Sequence, residues 1–290
     1  MSINHYSSTS TVSIVIPCLN EQEYIGKCLQ SIVDCTFPKD RLSVFVCDGF
    51  SSDNTRMVVQ SFEKTYSYIK LVDNPEKTTP FALNRGLMMS SADIDIILGA
   101  HAEIYPDYIE KCLEIFDTYE DVGCVGGIIE NIHENIPAEI ISKAMSSPFG
   151  VGNAHFRTAT KNGYVDTVAF GAYKKKVFET IGYFDETLVR NQDDEFNFRL
   201  TKAGFKVYLS LKIRCKYYVR SSFKKLYRQY FQYGYLKVYV NKKHNTVTTV
   251  RQLIPFFFVS FLIIGLVGSF FSKIVLLLLV VGILLYVCGA

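Results

Sequence analysis

Short apolar runs alternate with helix-like segments along the first hundred residues. Runs rich in β-branched residues occur in TVSIVIPCLN, LSVFVCDG, YIKLVDN and DIDIIL. Between the first two runs, EQEYIGKCLQSIV spaces its apolar residues as on one face of a helix, and further helices are expected before the third and fourth runs. This alternation predicts an α/β fold with a mostly parallel sheet and helices on both faces.

Polar or small residues follow each of these apolar runs. They are Asn20, Asp48, Asp73 and the turn Gly99–Ala100–His101. In α/β sheets, functional groups gather at the carboxyl ends of the parallel strands. We therefore expect a ligand site where these positions meet.

The pattern of strands and helices continues to about residue 215. A helix is expected after Pro106, a strand in VGCVGGIIEN, and a strand that leads into a helix near Lys175. The segment DDEFNFRLTKAG predicts another helix, closed by Gly204, and KVYLS predicts another strand. Residues 1–215 are therefore expected to form one α/β domain.

The net charge of +3 conceals two differently charged parts of the chain. Residues 1–195 carry 16 basic and 28 acidic residues, whereas residues 196–290 carry 15 basic residues and no acidic one. Within the basic part, residues 221–240 place aromatic and apolar residues at helical spacing between Lys and Arg. This is typical of a helix in a membrane interface that contacts anionic lipids; an ordinary surface helix is the alternative. Nucleic acid is not expected as a partner, because the basic stretch leads into apolar segments.

Two uncharged apolar segments, 254–271 and 274–290, follow the basic stretch. Roughly 18–20 apolar residues suffice to cross a bilayer core, so we predict a pair of transmembrane helices over 253–290, after an interfacial region over 216–252. A buried pair of core helices is the alternative. The preceding basic residues mark the cytoplasmic side. Eight cysteines without CxxC or Cys/His spacing suit a reducing cytosol.

Several segments together resemble a known enzyme family. In order and spacing, VSIVIPCLNEQEYIGKCLQSI, DGFSSDNT, NRG, GYFDE and DDEFNFRLTKAG resemble the family 2 glycosyltransferases, which have the Rossmann-like GT-A fold. The resemblance covers about residues 12–215. The basic, aromatic tail and the apolar segments resemble the membrane-bound subgroup that includes the succinoglycan-biosynthesis glucosyltransferases. The resemblance implies an enzyme that transfers a sugar from a nucleotide sugar.

The resemblance also implies a set of nucleotide-binding residues at the strand ends. The set is Pro17, Asn20, Glu21, Asp48, Arg85 and Ala100. Asp48 can accept a hydrogen bond from uracil N3–H, and Arg85 can pair with a diphosphate oxygen because its forked donors suit phosphate. Taken alone, each residue is equally well explained as a turn former or as part of a surface ion pair.

The family's catalytic base belongs to an acidic pair at the start of a late helix. The matching residues here are Gln192 and Asp193, so the resemblance gives Asp193 the role of base, while Gln192 replaces the usual Glu. Asp194 is the alternative base, because a shift of one residue in register would exchange the two. Acidic residues at a helix start also stabilise the helix dipole, which is the purely structural explanation.

The family's Asp-x-Asp metal motif aligns with Gly99–Ala100–His101, so the first carboxylate is missing. His101 can still ligate a divalent ion, Mn²⁺ better than Mg²⁺, and such an ion would neutralise the departing diphosphate. One alternative is a metal-free site in which Arg85 and nearby lysines supply the positive charge. The other is a protein that has lost transferase activity.

These inferences lead to one main hypothesis and one alternative. The main hypothesis is an inverting hexosyltransferase on the cytoplasmic face of a bacterial inner membrane, with a UDP-sugar donor and a lipid-linked oligosaccharide acceptor of surface polysaccharide biosynthesis. The loop 146–163 is expected to line the acceptor side, where His155 could touch a phosphate but is more simply an ordinary loop histidine. The alternative is a catalytically impaired, membrane-docked protein that binds nucleotide or glycan without turnover.

Overall fold

One sheet contains all the strands of the computed structural model, which describes residues 6–147, 155–219, 221–247 and 253–289. The strands are Val12–Cys18 (β1), Leu42–Asp48 (β2), Ile69–Asp73 (β3), Ile94–Ile97 (β4), Ala102–Ile104 (β5), Val122–Ile132 (β6), Gly163–Val165 (β7), Ala169–Lys174 (β8) and Lys206–Tyr218 (β9). The helices are Tyr6–Thr9 (α1), Ile25–Val33 (α2), Thr55–Thr65 (α3), Thr79–Met89 (α4), Tyr108–Thr118 (α5), Ile136–Ser146 (α6), His155–Thr158 (α7), Lys175–Ile181 (α8), Gln192–Lys202 (α9), Phe223–His244 (α10), Ile254–Ser269 (α11) and Lys273–Gly289 (α12).

The sheet is mixed rather than mostly parallel. Its strands follow the order β3-β2-β1-β4-β8-β6-β9-β5, and β7 also pairs with β9. The first four of these strands are parallel, but β8 lies antiparallel between β4 and β6, and both β5 and β7 are antiparallel to β9. The prediction of a mostly parallel sheet is therefore wrong beyond β4, where β6 and β9 are the one parallel pair among the described strands. The regular strand–helix alternation that produces parallel neighbours ends at that strand.

Helices cover both faces of the sheet, as predicted. On one face, α2 and α5 bury residues such as Leu29 and Phe116. On the other face, α4 and α9 bury residues such as Leu83 and Phe196. Helix α4 lies unusually close to β1, because a Cβ on Gly86 would be only 2.4 Å from the nearest methyl carbon of Val15. A side chain larger than hydrogen at this position would push the helix away from the sheet.

The strand register brings the predicted site positions to one edge of the sheet. Cys18 at the end of β1 pairs with Asp48 at the end of β2, and Asp48 pairs with Asp73 at the end of β3. The amide of Leu98 donates to the carbonyl of Val15, so the turn after β4 begins beside β1. The expectation that these chain segments meet is therefore confirmed.

Helix α10 is longer than the predicted segment 221–240 and packs against the domain along one side. Its start is capped by Ser222, whose hydroxyl accepts from the amide of Lys225. Lys237 and Val240 are buried, whereas Tyr227 and Tyr235 are 74% and 71% exposed. The helix therefore presents one face to the domain and an aromatic face to its surroundings.

The two apolar segments form a helical hairpin. Helices α11 and α12 have 16 and 17 residues and pack closely, with the rings of Phe258 and Tyr286 stacked 4.4 Å apart. Most of their large apolar side chains are exposed. Across the described ranges, no helix is both long enough and apolar enough to cross a membrane. The division into parts at 1–215, 216–252 and 253–290 stays a prediction.

Candidate functional site

Asp48 lies at the centre of the strand-end cluster and has no exposed surface. Its carboxylate accepts from the amide and the hydroxyl of Ser51 and from Arg56, 2.9 Å away. The second guanidinium nitrogen of Arg56 reaches Asp73 at 2.8 Å. Arg56 thus connects the ends of β2 and β3, and Asp48 holds the loop that follows its own strand.

The β1 loop is fastened to the β2 loop by Asn20 and Glu21. The side-chain oxygen of Asn20 accepts from the backbone amide of Ser52 at 2.8 Å. The backbone amide of Asn20 donates to Ser51 Oγ, also at 2.8 Å. The amide of Glu21, which is nearly buried, donates to Thr55 Oγ1 at 2.8 Å. Pro17, at the end of β1, is half-buried. These contacts order the two loops that would have to cradle a base and ribose.

Arg85 lies on α4 at the same edge and is paired with Glu76. Its guanidinium contacts both carboxylate oxygens of Glu76, at 2.8 and 2.9 Å. The two side chains are 39% and 33% exposed. A phosphate oxygen would therefore have to share or replace this ion pair.

Left-handed backbone conformations concentrate at this edge. Six residues other than glycine have positive φ in the described part of the chain, and five of them lie in loops or strands of the site: Asn20, Phe50, Lys77, Phe170 and Asn191. Such conformations are strained for residues with a side chain, and they cluster at functional sites. Their placement supports this edge as the functional one.

Phe170 occupies the space in which the missing carboxylate would begin. A Cβ on Gly99 would lie 2.8 Å from Phe170 Cε1 and 3.2 Å from Cζ. Phe170 has a φ of +50° and packs beside Tyr217, with ring centroids 6.2 Å apart. The Phe170 ring therefore fills the space that a side chain would need at the first position of the Gly99–Ala100–His101 turn. Ala100, in the middle of the turn, is buried.

The His101 imidazole faces Glu21 across the β1 loop. Its Nδ1 is buried, makes no hydrogen bond with the described residues, and lies 3.4 Å from Glu21 Oε1. The ring packs edge-on against Tyr217 at 5.0 Å. Among the described residues, no three His, Cys, Asp or Glu side chains lie close enough together to hold a metal ion. The turn therefore offers one imidazole nitrogen and one neighbouring carboxylate.

The acidic residues at the start of α9 have different environments. Asp194 is ion-paired with Lys237 of α10. Glu195 is fully buried and accepts from Arg199, Lys243 and His244. Asp193, in contrast, is exposed and makes no ion pair with the described residues.

Asp193 has the surroundings expected of a general base. Burial by the surrounding protein, followed by the negative charge of Asp194, raises the pKa of its carboxyl above the ordinary value, while Lys237 opposes the shift. A raised pKa makes the ionised form a stronger proton acceptor. The preceding Gln192 leaves its side-chain oxygen buried without a hydrogen-bond partner in the described residues.

Helix α10 and α7 contribute site residues that the sequence did not indicate. The Asn191 side chain, two residues before Asp193, donates to the carbonyl of Tyr233 in α10 at 2.9 Å. Arg157 of α7 lies 5.6 Å from the centre of the Tyr217 ring and donates to Asn131 at 3.0 Å. Burial lowers the pKa of Arg157. Basic and aromatic letters in 155–158 and 223–244 were the available signal, but their spacing does not reveal which of them face the site.

The expectation for the loop 146–163 falls in part on residues 148–154, which lie outside the described residues, as does the side chain of His155. The ends of this loop are described. Arg157 reaches the site from α7, and α6 ends at Ser146.

Both the sequence and the fold are similar to those of known proteins. The family model Glycosyl transferase family 2 matches residues 13–182. A dolichyl N-acetyl-alpha-D-glucosaminyl phosphate 3-beta-D-2,3-diacetamido-2,3-dideoxy-beta-D-glucuronosyltransferase of Methanococcus voltae is 34% identical over 259 residues, which cover 87% of this chain and 80% of the relative. Succinoglycan biosynthesis protein ExoA of Rhizobium meliloti is 28% identical over 258 residues, 88% of this chain and 77% of the relative.

Two solved structures show the same fold. The mannosyltransferase PcManGT of Pyrobaculum calidifontis, in complex with GDP-Man and Mn²⁺, matches with a TM-score of 0.65 and 18% identity, over 97% of this chain and 82% of that chain. S. aureus TarS 1–349, in complex with UDP-GlcNAc, matches with a TM-score of 0.59 and 16% identity, over 73% of this chain and 59% of that chain. The predicted GT-A-like fold and the likeness to succinoglycan biosynthesis proteins are therefore confirmed. The chain belongs to the family 2 glycosyltransferases.

Proposed function

We propose that this glycosyltransferase moves a hexose from a UDP-sugar to a hydroxyl of a lipid-linked glycan, with inversion at the anomeric carbon. The observation that carries the proposal is the isolation of Asp193. It is the exposed carboxylate at the start of α9, whereas its two neighbours Asp194 and Glu195 are bound to cations.

In the proposed mechanism, Asp193 accepts the proton of the acceptor hydroxyl. The freed oxygen attacks the anomeric carbon while the bond from that carbon to the diphosphate oxygen breaks, and the nucleoside diphosphate leaves with the bonding electrons. One displacement inverts the configuration. A retaining reaction would need a nucleophile on the other face of the sugar, and Asp194 is unsuited to that role because Lys237 neutralises it.

The nucleotide is proposed to lie across the ends of β1 and β2. Pro17, Asn20, Glu21 and Ala100 would surround the base and ribose. The buried Asp48 would exchange one of its contacts with Ser51 or Arg56 for the base. Arg85 would reach the diphosphate by exchanging Glu76 for a phosphate oxygen. The support is the shared edge and the ordered loops. The TarS complex with UDP-GlcNAc and the PcManGT complex with GDP-Man are consistent with a nucleotide-sugar donor, and UDP is the nucleotide we propose here.

A divalent ion fits the turn at His101. The buried Nδ1, which has no hydrogen-bond partner among the described residues, and the carboxylate of Glu21 form a nitrogen and oxygen donor pair that suits Mn²⁺. When bound, the ion would neutralise the negative charge of the departing diphosphate. His101 and Glu21 are the residues proposed to hold it, and Arg157, 5.6 Å from the centre of the Tyr217 ring, adds positive charge nearby.

The acceptor and the location are proposed from the tail of the chain. The relatives from Methanococcus voltae and Rhizobium meliloti are, by name, a transferase to a dolichyl-linked phosphate sugar and a succinoglycan biosynthesis protein. The exposed apolar side chains of α11 and α12 and the exposed aromatic face of α10 would be stabilised against lipid. We therefore place the enzyme at the cytoplasmic face of a bacterial inner membrane, in contact with anionic lipids.

Release of UDP from UDP-sugars tests the proposal. Full-length protein in detergent is incubated with UDP-glucose, UDP-galactose and UDP-GlcNAc, with Mn²⁺ or EDTA, and with or without a lipid extract that supplies acceptors. The proposal predicts acceptor-dependent UDP release that Mn²⁺ stimulates. If the protein binds nucleotide but releases no UDP under all of these conditions, the impaired binding protein is supported instead. The Phe170 ring favours this alternative, because it fills the space that a carboxylate at residue 99 would need.

A further inference from the structure

A cavity of about 310 Å³ lies beside the proposed active site, between α6, the end of β9 and the first turns of α10. Two of its lining residues also contact the site. Tyr217 packs against His101 at 5.0 Å, and Gln229 donates to the hydroxyl of Tyr233 at 2.7 Å. The cavity is therefore next to the reaction centre but separate from the strand-end edge proposed for the nucleotide.

The lining of the cavity includes three cations. Arg190, Lys225 and Arg228 contribute to it, and no carboxylate is found in the lining formed by the described residues. Arg190 is held by Gln232, whose side-chain oxygen accepts at 3.4 Å. Ser222 and Lys225 belong to the start of α10, where the helix dipole also favours an anion.

Apolar side chains also line the cavity. Ile141 and Met145 of α6, Val219 after β9 and Leu226 of α10 belong to one small hydrophobic cluster and line the same space. A site lined by both cations and aliphatic side chains suits an amphiphile with an anionic head. Its volume lies at the lower end of the range for small-molecule sites, which is enough for a phosphate and the first carbons of a chain.

We infer that this cavity binds the lipid phosphate of the acceptor, with Arg190, Lys225 and Arg228 on the phosphate and the α6 side on the first part of the lipid chain. The inference rests on the proposed function, because it assumes a lipid-linked acceptor. It adds a site that fixes the lipid end while the sugar hydroxyl points past Tyr217 towards Asp193. The continuous aromatic face of α10, including Tyr227 and Phe231 at 74% and 63% exposed, would let the lipid chain leave towards the membrane.

The test measures binding of farnesyl phosphate to the full-length protein in detergent by calorimetry, without any nucleotide. Farnesol and inorganic phosphate are the comparison ligands. The variant is Arg190→Gln/Lys225→Gln/Arg228→Gln, and the matched control is Lys224→Gln, an exposed cation of the same helix that does not line the cavity. UDP affinity is measured on every protein to verify that the fold and the donor site are intact.

The inference predicts that the triple variant loses roughly tenfold or more in affinity for farnesyl phosphate, the scale of losing charge-assisted hydrogen bonds. The Lys224→Gln control should stay within about twofold, because exposed charges outside the cavity contribute little. Farnesol should bind much more weakly than farnesyl phosphate. Unchanged binding in the triple variant, or equal binding of farnesol, would overturn the inference.

Two further results separate this inference from others. If inorganic phosphate displaces farnesyl phosphate at similar concentrations, the site takes free phosphate and the lipid part of the inference is wrong. If farnesyl phosphate binds as predicted but no UDP-sugar is turned over, the proposed function fails while the lipid phosphate site stands.

Discussion

Introducing the family's carboxylate at residue 99 should destabilise the protein. A Cβ at this position would lie 2.8 Å from Phe170 Cε1, well inside the ~3.5–4.0 Å of a normal carbon–carbon contact. Overpacking of this kind costs about 1–3 kcal/mol. Gly99→Ala adds the Cβ alone and should show most of this cost, whereas Gly99→Asp adds a carboxylate that must also push the ring aside.

Removing the Phe170 ring should abolish the loss of stability caused by a side chain at residue 99. In a Phe170→Ala background, the Cβ at residue 99 meets open space, so Gly99→Ala should be close to neutral there. The coupling energy between the two positions is therefore expected at about 1–2 kcal/mol, within the range for residues in direct contact. Unfolding by urea, followed through tyrosine fluorescence because the chain has 0 Trp, measures all four proteins. Equal costs of Gly99→Ala in both backgrounds would refute the steric reasoning.

The same pair of backgrounds extends the test to metal binding. A carboxylate at residue 99 should strengthen Mn²⁺ affinity only once Phe170 no longer fills its space. Titration of Mn²⁺ in the presence of UDP should therefore show a larger gain from Gly99→Asp in the Phe170→Ala protein than in the natural one. The matched control is Gly99→Asn, which has nearly the same shape as Asp but carries no negative charge.

Three further changes probe other parts of the molecule. Asp48→Ala should weaken UDP binding by about 1.5–3 kcal/mol by calorimetry; unchanged affinity would place the nucleotide elsewhere. Deleting residues 253–290 should leave salt-sensitive binding to anionic vesicles through α10, and a truncated protein that ignores such vesicles at low salt would contradict this. Glu195→Gln should cost about 3–5 kcal/mol at pH 7, because Arg199, Lys243 and His244 lose their buried counter-charge. Burial raises the pKa of Glu195, but hydrogen bonds from Arg199 and Lys243 outweigh it and lower the pKa. The stability from this charge is therefore present above the ordinary Glu pKa and is lost as the pH falls through the folded value, so the difference between the two proteins should shrink on acidification.

The strand-end cluster was predictable because it depends on local rules. The apolar, β-branched runs in the sequence locate β1 to β4. Parallel pairing then brings Asp48 and Asp73 to one edge of the sheet, independently of how the helices pack. The mixed half of the sheet was not predictable in this way. β8 inserts between two strands through pairing that no local pattern encodes.

The roles at the start of α9 also depend on distant residues. Sequence alone left Asp193 and Asp194 exchangeable, because both fit the family pattern within one residue. The structure separates them through Lys237, which lies 43 residues farther along and neutralises Asp194. Likewise, Phe170 lies 71 positions after Gly99, so nothing near the turn indicates that an aromatic ring fills the space of the missing carboxylate.

The most direct test of the account compares Asp193→Asn with Asp194→Asn. Initial rates of acceptor-dependent UDP release are measured for both variants and for the natural protein, together with UDP affinity by calorimetry. The account predicts that Asp193→Asn loses transfer by roughly 10²–10⁴-fold, the usual contribution of a general base, with UDP affinity within a few fold, while Asp194→Asn retains more activity. Near-normal transfer by Asp193→Asn, with loss of transfer by Asp194→Asn, would contradict the assignment and make Asp194 the base.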